Sequence, residues 1–148
     1  MPDNFPAGHA IKSILAFDFG LRRIGVAVGQ TITGSASPLG VVMNDADGPD
    51  QGHISTLIDE WRPDQLVVGL PTQADGSPTD FDKPLRQFIA DLKRFNLPVT
   101  TIDERRTSIE AREALKAARQ DGRRGRIQKA DIDTAAAVMI AERYLATL

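Results

Sequence analysis

The run from Ser13 to Gly29, Ser-Ile-Leu-Ala-Phe-Asp-Phe-Gly-Leu-Arg-Arg-Ile-Gly-Val-Ala-Val-Gly, limits what this chain can become more than any other stretch. It reads as a buried strand ending on Asp18, a tight turn through Gly20, and a second strand from Ile24. A carboxylate at the tip of an apolar run is costly, because out of water it must be paired, protonated or placed on a metal. The turn that follows offers glycine backbone, which approaches a phosphate closely, and two cations, Arg22 and Arg23, that can bind one. Carboxylate and arginines together point to phosphate chemistry. In the second strand, Ile24, Val26 and Val28 alternate with Gly25, Ala27 and Gly29. One face is therefore bulky and the other nearly bare, so a helix can pack closely on the bare face.

A third strand, Leu39 to Met43, completes an antiparallel meander, and Asn44 to Gly52 reads as a turn-rich connection. Ile54, Leu57, Ile58 and Trp61 fall at i, i+3, i+4 and i+7, which predicts a helix with Trp61 as a core anchor, stopped by Pro63. His53, at its start, has no neighbour at metal-ligand spacing and reads as a surface residue. Gln65 to Leu70 suits a strand buried on both faces. A second helix carries Phe81, Leu85, Phe88, Ile89, Leu92 and Phe95 near helical spacing, with Pro84 in its first turn or beginning it, and Asn96-Leu97-Pro98 ends it. Val99 to Ile102 is another strand, followed by the acids Asp103 and Glu104. Thr107 and Glu110 form a capping box for a third helix. A last helix is expected from near Asp131 to the C-terminus, with Ala135 to Ala137 allowing close packing on a sheet. The order, three antiparallel strands and then crossovers to parallel ones, makes an α/β fold in which strand ends collect ligands.

Within 148 residues this is one domain, expected over residues 11–148 after a flexible tail of residues 1–10. There is no cysteine, which excludes disulfides, thiolate zinc sites and cysteine nucleophiles. No apolar run approaches the roughly 18 residues that span a bilayer, and the N-terminus lacks a signal-peptide plan, so a soluble, cytoplasmic protein without a membrane partner is expected. The net charge of −2 conceals a basic segment: from Arg105 to Lys129 nine basic residues face three acids. Such a run is often only a solvated helix face and loop, but it is also what a nucleic-acid footprint looks like. Gln120 to Gln128, with Arg123, Arg124 and Arg126, is expected to be mobile and to order on a substrate.

Three separated places supply carboxylates: Asp18, the Asp103-Glu104 pair, and Asp131-x-Asp133. Hard divalent cations such as Mg²⁺ or Mn²⁺ take oxygen ligands, and a pair of them clamps the attacking and leaving oxygens of phosphoryl transfer. No His or Ser nucleophile is then required. Asp131 is placed to cap the last helix, with Lys129 near enough to neutralise it. Asp103 and Glu104 tend to opposite sides of a strand, so one of them reaches a metal, and composition does not choose which.

The stretch Leu15 to Gly29 resembles the opening motif of the YqgF/RuvX family, resolvase-like proteins regarded as nucleases of the small-subunit ribosomal RNA precursor. The resemblance continues through Ser37-Pro38-Leu39, Val67 to Pro71 with Asp75-Gly76, Asp103 to Ser108 with Glu110-Ala111-Arg112, and Asp133 with Ala135 to Ala137. It implies a ribonuclease-H-like fold with a mixed five-stranded sheet flanked by helices. It also implies a divalent-metal site, Mg²⁺ or Mn²⁺, with catalytic and metal-binding roles for Asp18, Glu104 and Asp133, and so favours Glu104 over Asp103. Leu21 stands where the family commonly has Thr, and Thr72-Gln73-Ala74 replaces Leu-Asn-Met. The activity implied is metal-dependent hydrolysis of phosphodiesters at the 5′ end of pre-16S rRNA, with Arg22, Arg23, Arg105, Arg123, Arg124 and Arg126 as nucleic-acid contacts, and with ribosomal precursor particles as partners. Cleavage of DNA four-way junctions is the alternative within the same chemistry. A catalytically silent RNA-binding assembly factor and an ATP-binding domain of the actin-like kind are alternatives outside it. Monomer and homodimer both remain open.

Overall fold

The structure, a computed structural model, describes residues 11–45, 47–70, 82–103 and 129–148, with the backbone alone at 82, 103 and 129–133. The elements are β1 (Ser13–Asp18), β2 (Arg23–Gln30), β3 (Ser35–Asp45), β4 (Gly48–Pro49), α1 (Gln51–Trp61), β5 (Gln65–Leu70), α2 (Asp82–Leu92), β6 (Val99–Asp103) and α3 (Lys129–Leu145). A 3₁₀ turn, Lys93–Phe95, ends α2. They build one mixed sheet in the order β4-β3-β2-β1-β5-β6. β1 to β4 are antiparallel neighbours, while β1, β5 and β6 run parallel.

Among the described residues the sheet has six strands rather than the five expected. β4 is two residues long and pairs with Asn44 and Asp45, inside the stretch that reads as a turn-rich connection. Gly and Pro signal a turn, and nothing local reveals that the chain folds back to bond to β3. β3 itself runs from Ser35, four residues earlier than its apolar pattern indicates.

The period-two alternation of β1 and β2 sorts side chains cleanly between faces. Leu15, Phe17, Phe19, Ile24, Val26 and Val28 join Ile54 and Leu57 of α1 and Leu85, Phe88 and Leu92 of α2 in one core. Ile14 and Ala16 join Val67, Ile140 and Ala141 in a second core beneath α3. The bare face of β2 is where α3 packs: a Cβ on Gly29 would lie 3.1 Å from both Ile14 Cγ1 and Leu145 Cδ1. Ala136 and Ala137 are fully buried, as close packing of that helix requires.

Trp61 departs from expectation. It is the last residue of α1, 37% exposed, and outside both cores. Helical periodicity holds for the stripe as far as Ile58, which packs against the core, but Arg62 ends the helix in the left-handed region (φ 45°), with its N–H donating to the Ile58 carbonyl at 2.8 Å, and Trp61 does not reach the core. His53 is exposed, its N–H donating to the helix cap Asp50. Pro84 is the third residue of α2, within its first turn. α3 begins at Lys129, so Asp131 is inside the helix rather than its cap. An N-terminal residue before 129, the capping box at Thr107–Glu110 and the arginine loop lie outside the described residues.

Candidate active site

β1 is held at both ends. At its start, Asp64 Oδ2 accepts from the N–H groups of Lys12 (2.7 Å) and Ser13 (3.1 Å), and Asp64 N–H donates to the Ser13 carbonyl. At its tip, the Phe88 ring meets Phe17 edge-on, centroids 5.6 Å apart, and lies 5.2 Å from Phe19. Both neighbours of Asp18 are thus pinned on the α2 side of the sheet, an arrangement worth about 1 kcal/mol per ring pair beyond burial. Alternation then places Asp18, half-buried, on the opposite, α3 side.

The strands beside Asp18 present no side chain next to it. It pairs with Gly25 of β2 and with Gly69 of β5. Gly69 in turn pairs with Ile102, so Asp18, Gly69 and Ile102 form one row, and Asp103 stands one residue beyond it, opposite Leu70. The C-terminal ends of β1, β5 and β6 therefore share one edge of the sheet, as the parallel order predicts.

α3 aims its N-terminal half at that edge. Its last turn, with Tyr144 and Leu145, packs at the start of β1 near Ile14, and Ile140 and Ala141 pack near Ala16 and Val67. Counting back along the helix, position 133 lies on the stripe of Ala136, Ala137, Ile140, Ala141 and Tyr144, at i+3, i+4, i+7, i+8 and i+11. It is seven residues, about 10 Å, from Ile140 toward the Asp18 end.

The turn between β1 and β2 is tightly built. A Cβ on Gly20 would come 2.5 Å from the Arg23 carbonyl oxygen, so only glycine fits unless that backbone shifts. Asn44, 8% exposed, braces the turn twice: its Nδ2 donates to the Gly20 carbonyl at 2.8 Å and its N–H to the Arg22 carbonyl at 2.9 Å. Sequence reasoning missed this residue, because an Asn after an apolar run signals a turn and its partners lie more than twenty residues away. Arg22 is exposed in the turn. Arg23 opens β2 in alternation with Ile24, on the same face as Gly25 and Asp18.

The structure thus brings Asp18, Arg22, Arg23 and the helix carrying Asp133 to one edge. Glu104, Arg105, Arg123, Arg124 and Arg126 lie outside the described residues. Among the described residues no group of three or more His, Asp or Glu is assembled as a metal cage. The donor types still fit a hard divalent cation, since the candidates are all carboxylates and Asp18 emerges where its strand neighbours are glycines. No described helix is long and apolar enough to cross a membrane.

Residues 12–147 match the family described as RuvX, Holliday junction resolvase. A protein of Pseudomonas paraeruginosa, provisionally named a pre-16S rRNA nuclease, is 43% identical over 142 residues, covering 95% of this chain and 96% of its own. A protein of the same name from Legionella pneumophila is 46% identical over 132 residues, covering 88% and 93%. Among solved structures, the T. thermophilus RuvC complex with a Holliday junction superposes with a TM-score of 0.55 at 14% identity, covering 92% of this chain and 94% of that one. The fowlpox virus resolvase with its junction DNA gives 0.58 at 14% identity, covering 91% and 97%. At such identity these structures carry the ribonuclease-H-like fold alone. Fold, motifs and relatives agree: the chain belongs to the RuvX family of resolvase-like nucleases, nucleic-acid-binding hydrolases of phosphodiester bonds.

Proposed function

We infer that the protein trims a structured RNA, the 5′ end of the small-subunit ribosomal RNA precursor, with Asp18, Glu104 and Asp133 as the carboxylates that hold Mg²⁺ or Mn²⁺. The observation that carries this reading is the placement of Asp18 between Gly25 and Gly69, at the edge toward which the Asp133 stripe of α3 runs. Bound there, the metal would supply activation of a water and neutralisation of charge on the scissile phosphate. Asp18, its backbone fixed through Phe17 and Phe19, would contribute a carboxylate from a firmly held strand end. Arg23, on the same face, and Arg22, in the turn, are suited to phosphate oxygens and so to orienting the backbone for in-line attack. Arg105, Arg123, Arg124 and Arg126 are further candidates for phosphate contacts by residue type, and precursor ribosomal particles would present the RNA.

The names of the curated relatives support RNA as substrate; the description of the family supports the second reading, cleavage of DNA junctions. The test is cleavage of a labelled 16S precursor beside a four-way DNA junction, with Mg²⁺, Mn²⁺ or EDTA, by wild type, Asp18→Asn and Asp133→Asn. The expected result is metal-dependent cutting of the RNA, reduced on the order of 10³-fold in both variants while their melting temperatures stay near wild type. Preferential junction cutting would move the function to recombination. RNA binding without cutting, unchanged by EDTA, would leave an assembly factor.

A further inference from the structure

On the α1 side of the sheet, at the end opposite Asp18, lies a hollow of about 350 Å³. Its lining is apolar in Val28, Pro38 and Leu39, polar and neutral in Gln30, Ser35 and Ser37, and completed by Trp61. Gln30 pairs with Ser13 and Val28 with Leu15, so the hollow stands at the start of β1. That is five residues, about 17 Å, from Asp18 along the strand. Its size falls in the usual range for a small-ligand site, roughly 300–1,000 Å³.

We propose that this hollow is a second nucleic-acid subsite, which takes one unpaired base of the substrate strand stacked on Trp61. The proposal rests on the nuclease reading above and names where a strand engages beyond the cleavage site. Three observations favour a base over other occupants. The lining carries no charge, so it suits neither a phosphate nor a cation, whereas a neutral planar ring matches an exposed indole flanked by Pro38 and Leu39. Among the described residues, the Ser37 hydroxyl and the Gln30 carboxamide have no hydrogen-bond partner, and the Ser35 hydroxyl is shared only with Thr33 at 2.7 Å, so donors and acceptors remain for a base edge. Arg62, exposed and next to Trp61 in the chain, is a cation for the adjoining phosphate. Every base has a π-face, so the site would tolerate sequence and contribute affinity rather than specificity.

Trp61 is the only tryptophan, so its emission reads this hollow directly. The experiment titrates Asp18→Asn protein in EDTA with a single-stranded RNA of about 12 nucleotides and with an abasic strand of equal length, following Trp61 emission and, separately, anisotropy of the labelled strand. Saturable quenching by the RNA and none by the abasic strand is expected. Trp61→Ala weakens RNA binding about tenfold, and Trp61→Phe restores most of it. Anisotropy that reports binding while emission stays constant overturns the subsite and leaves the nuclease reading intact. Equal quenching by the abasic strand overturns it too, as does an emission change with protein concentration alone, which would assign the hollow to a second copy of the chain. Absence of any anisotropy change with RNA defeats both readings together.

Discussion

The two faces of the sheet do different work with different side chains. Toward α1 and α2 the core is built from large residues, among them Phe17, Phe88, Leu15, Ile24 and Leu92, all but sealed from water. Toward α3 it is built from small ones, Ala16, Gly29, Ala136, Ala137 and Ala141, around Ile14 and Ile140. Burial scales with apolar area, so the first face supplies most of the hydrophobic stabilisation. The second brings a helix close to the strands, and its C-terminal edge, where Gly25 and Gly69 stand, is where Asp18 emerges. Stability and the proposed chemistry thus sit on opposite sides of one strand, with successive residues Phe17, Asp18 and Phe19 alternating between them.

That division is open to test by mutating each face in turn. The largest effect is expected at Phe88, which touches both aromatic neighbours of Asp18. Phe88→Ala removes a fully buried ring and costs about 4 kcal/mol, read as a fall in the urea midpoint at constant slope. If activity per folded molecule survives, the pinning of Asp18 does not depend on that ring. Gly29→Val comes next. Its added atoms meet Ile14 and Leu145, and overpacking costs about 2 kcal/mol. Because α3 is displaced, cleavage should fall by more than the folded fraction does; a loss matched to unfolding alone would uncouple helix seating from the site. The smallest effect is at Tyr144, whose hydroxyl donates to Gln65 Oε1 at 2.8 Å, while Gln65 Nε2 donates to Thr100. Gln65 is only 6% exposed, so Tyr144→Phe leaves a buried acceptor short of a partner, at about 1 kcal/mol. A neutral result would show that water reaches Gln65.

Much of the fold was legible because its signals are periodic. Alternation in β2 foretold a bare face, the apolar run Leu66 to Val68 foretold a strand buried on both sides, and Ala135 to Ala137 foretold a close helix. At the site, Asp18 stood out because a carboxylate ending an apolar strand has an energetic cost that must be met. Asn44 did not stand out, since its two hydrogen bonds to the Gly20 and Arg22 carbonyls exist only when β3 lies beside β2. β4 escaped for the same reason, being two residues whose sole claim to be a strand is a partner. Trp61 misled because helical spacing places a residue on a stripe without saying how far the core extends along it.

By itself the sequence determined the succession of the described elements apart from β4, the α/β class, the bare and bulky faces, and an acid at the tip of the first strand. Each follows from interactions within a few residues: backbone sterics, side-chain period and the cost of a buried charge. Only the tertiary structure decided that Asp18 is flanked by Gly25 and Gly69, that position 133 lies on the stripe of α3 packed against the sheet, that Asn44 braces the turn, and that Trp61 opens onto a hollow. Those depend on strand register and helix seating, which link residues tens of positions apart and are selected by the packing of the whole core.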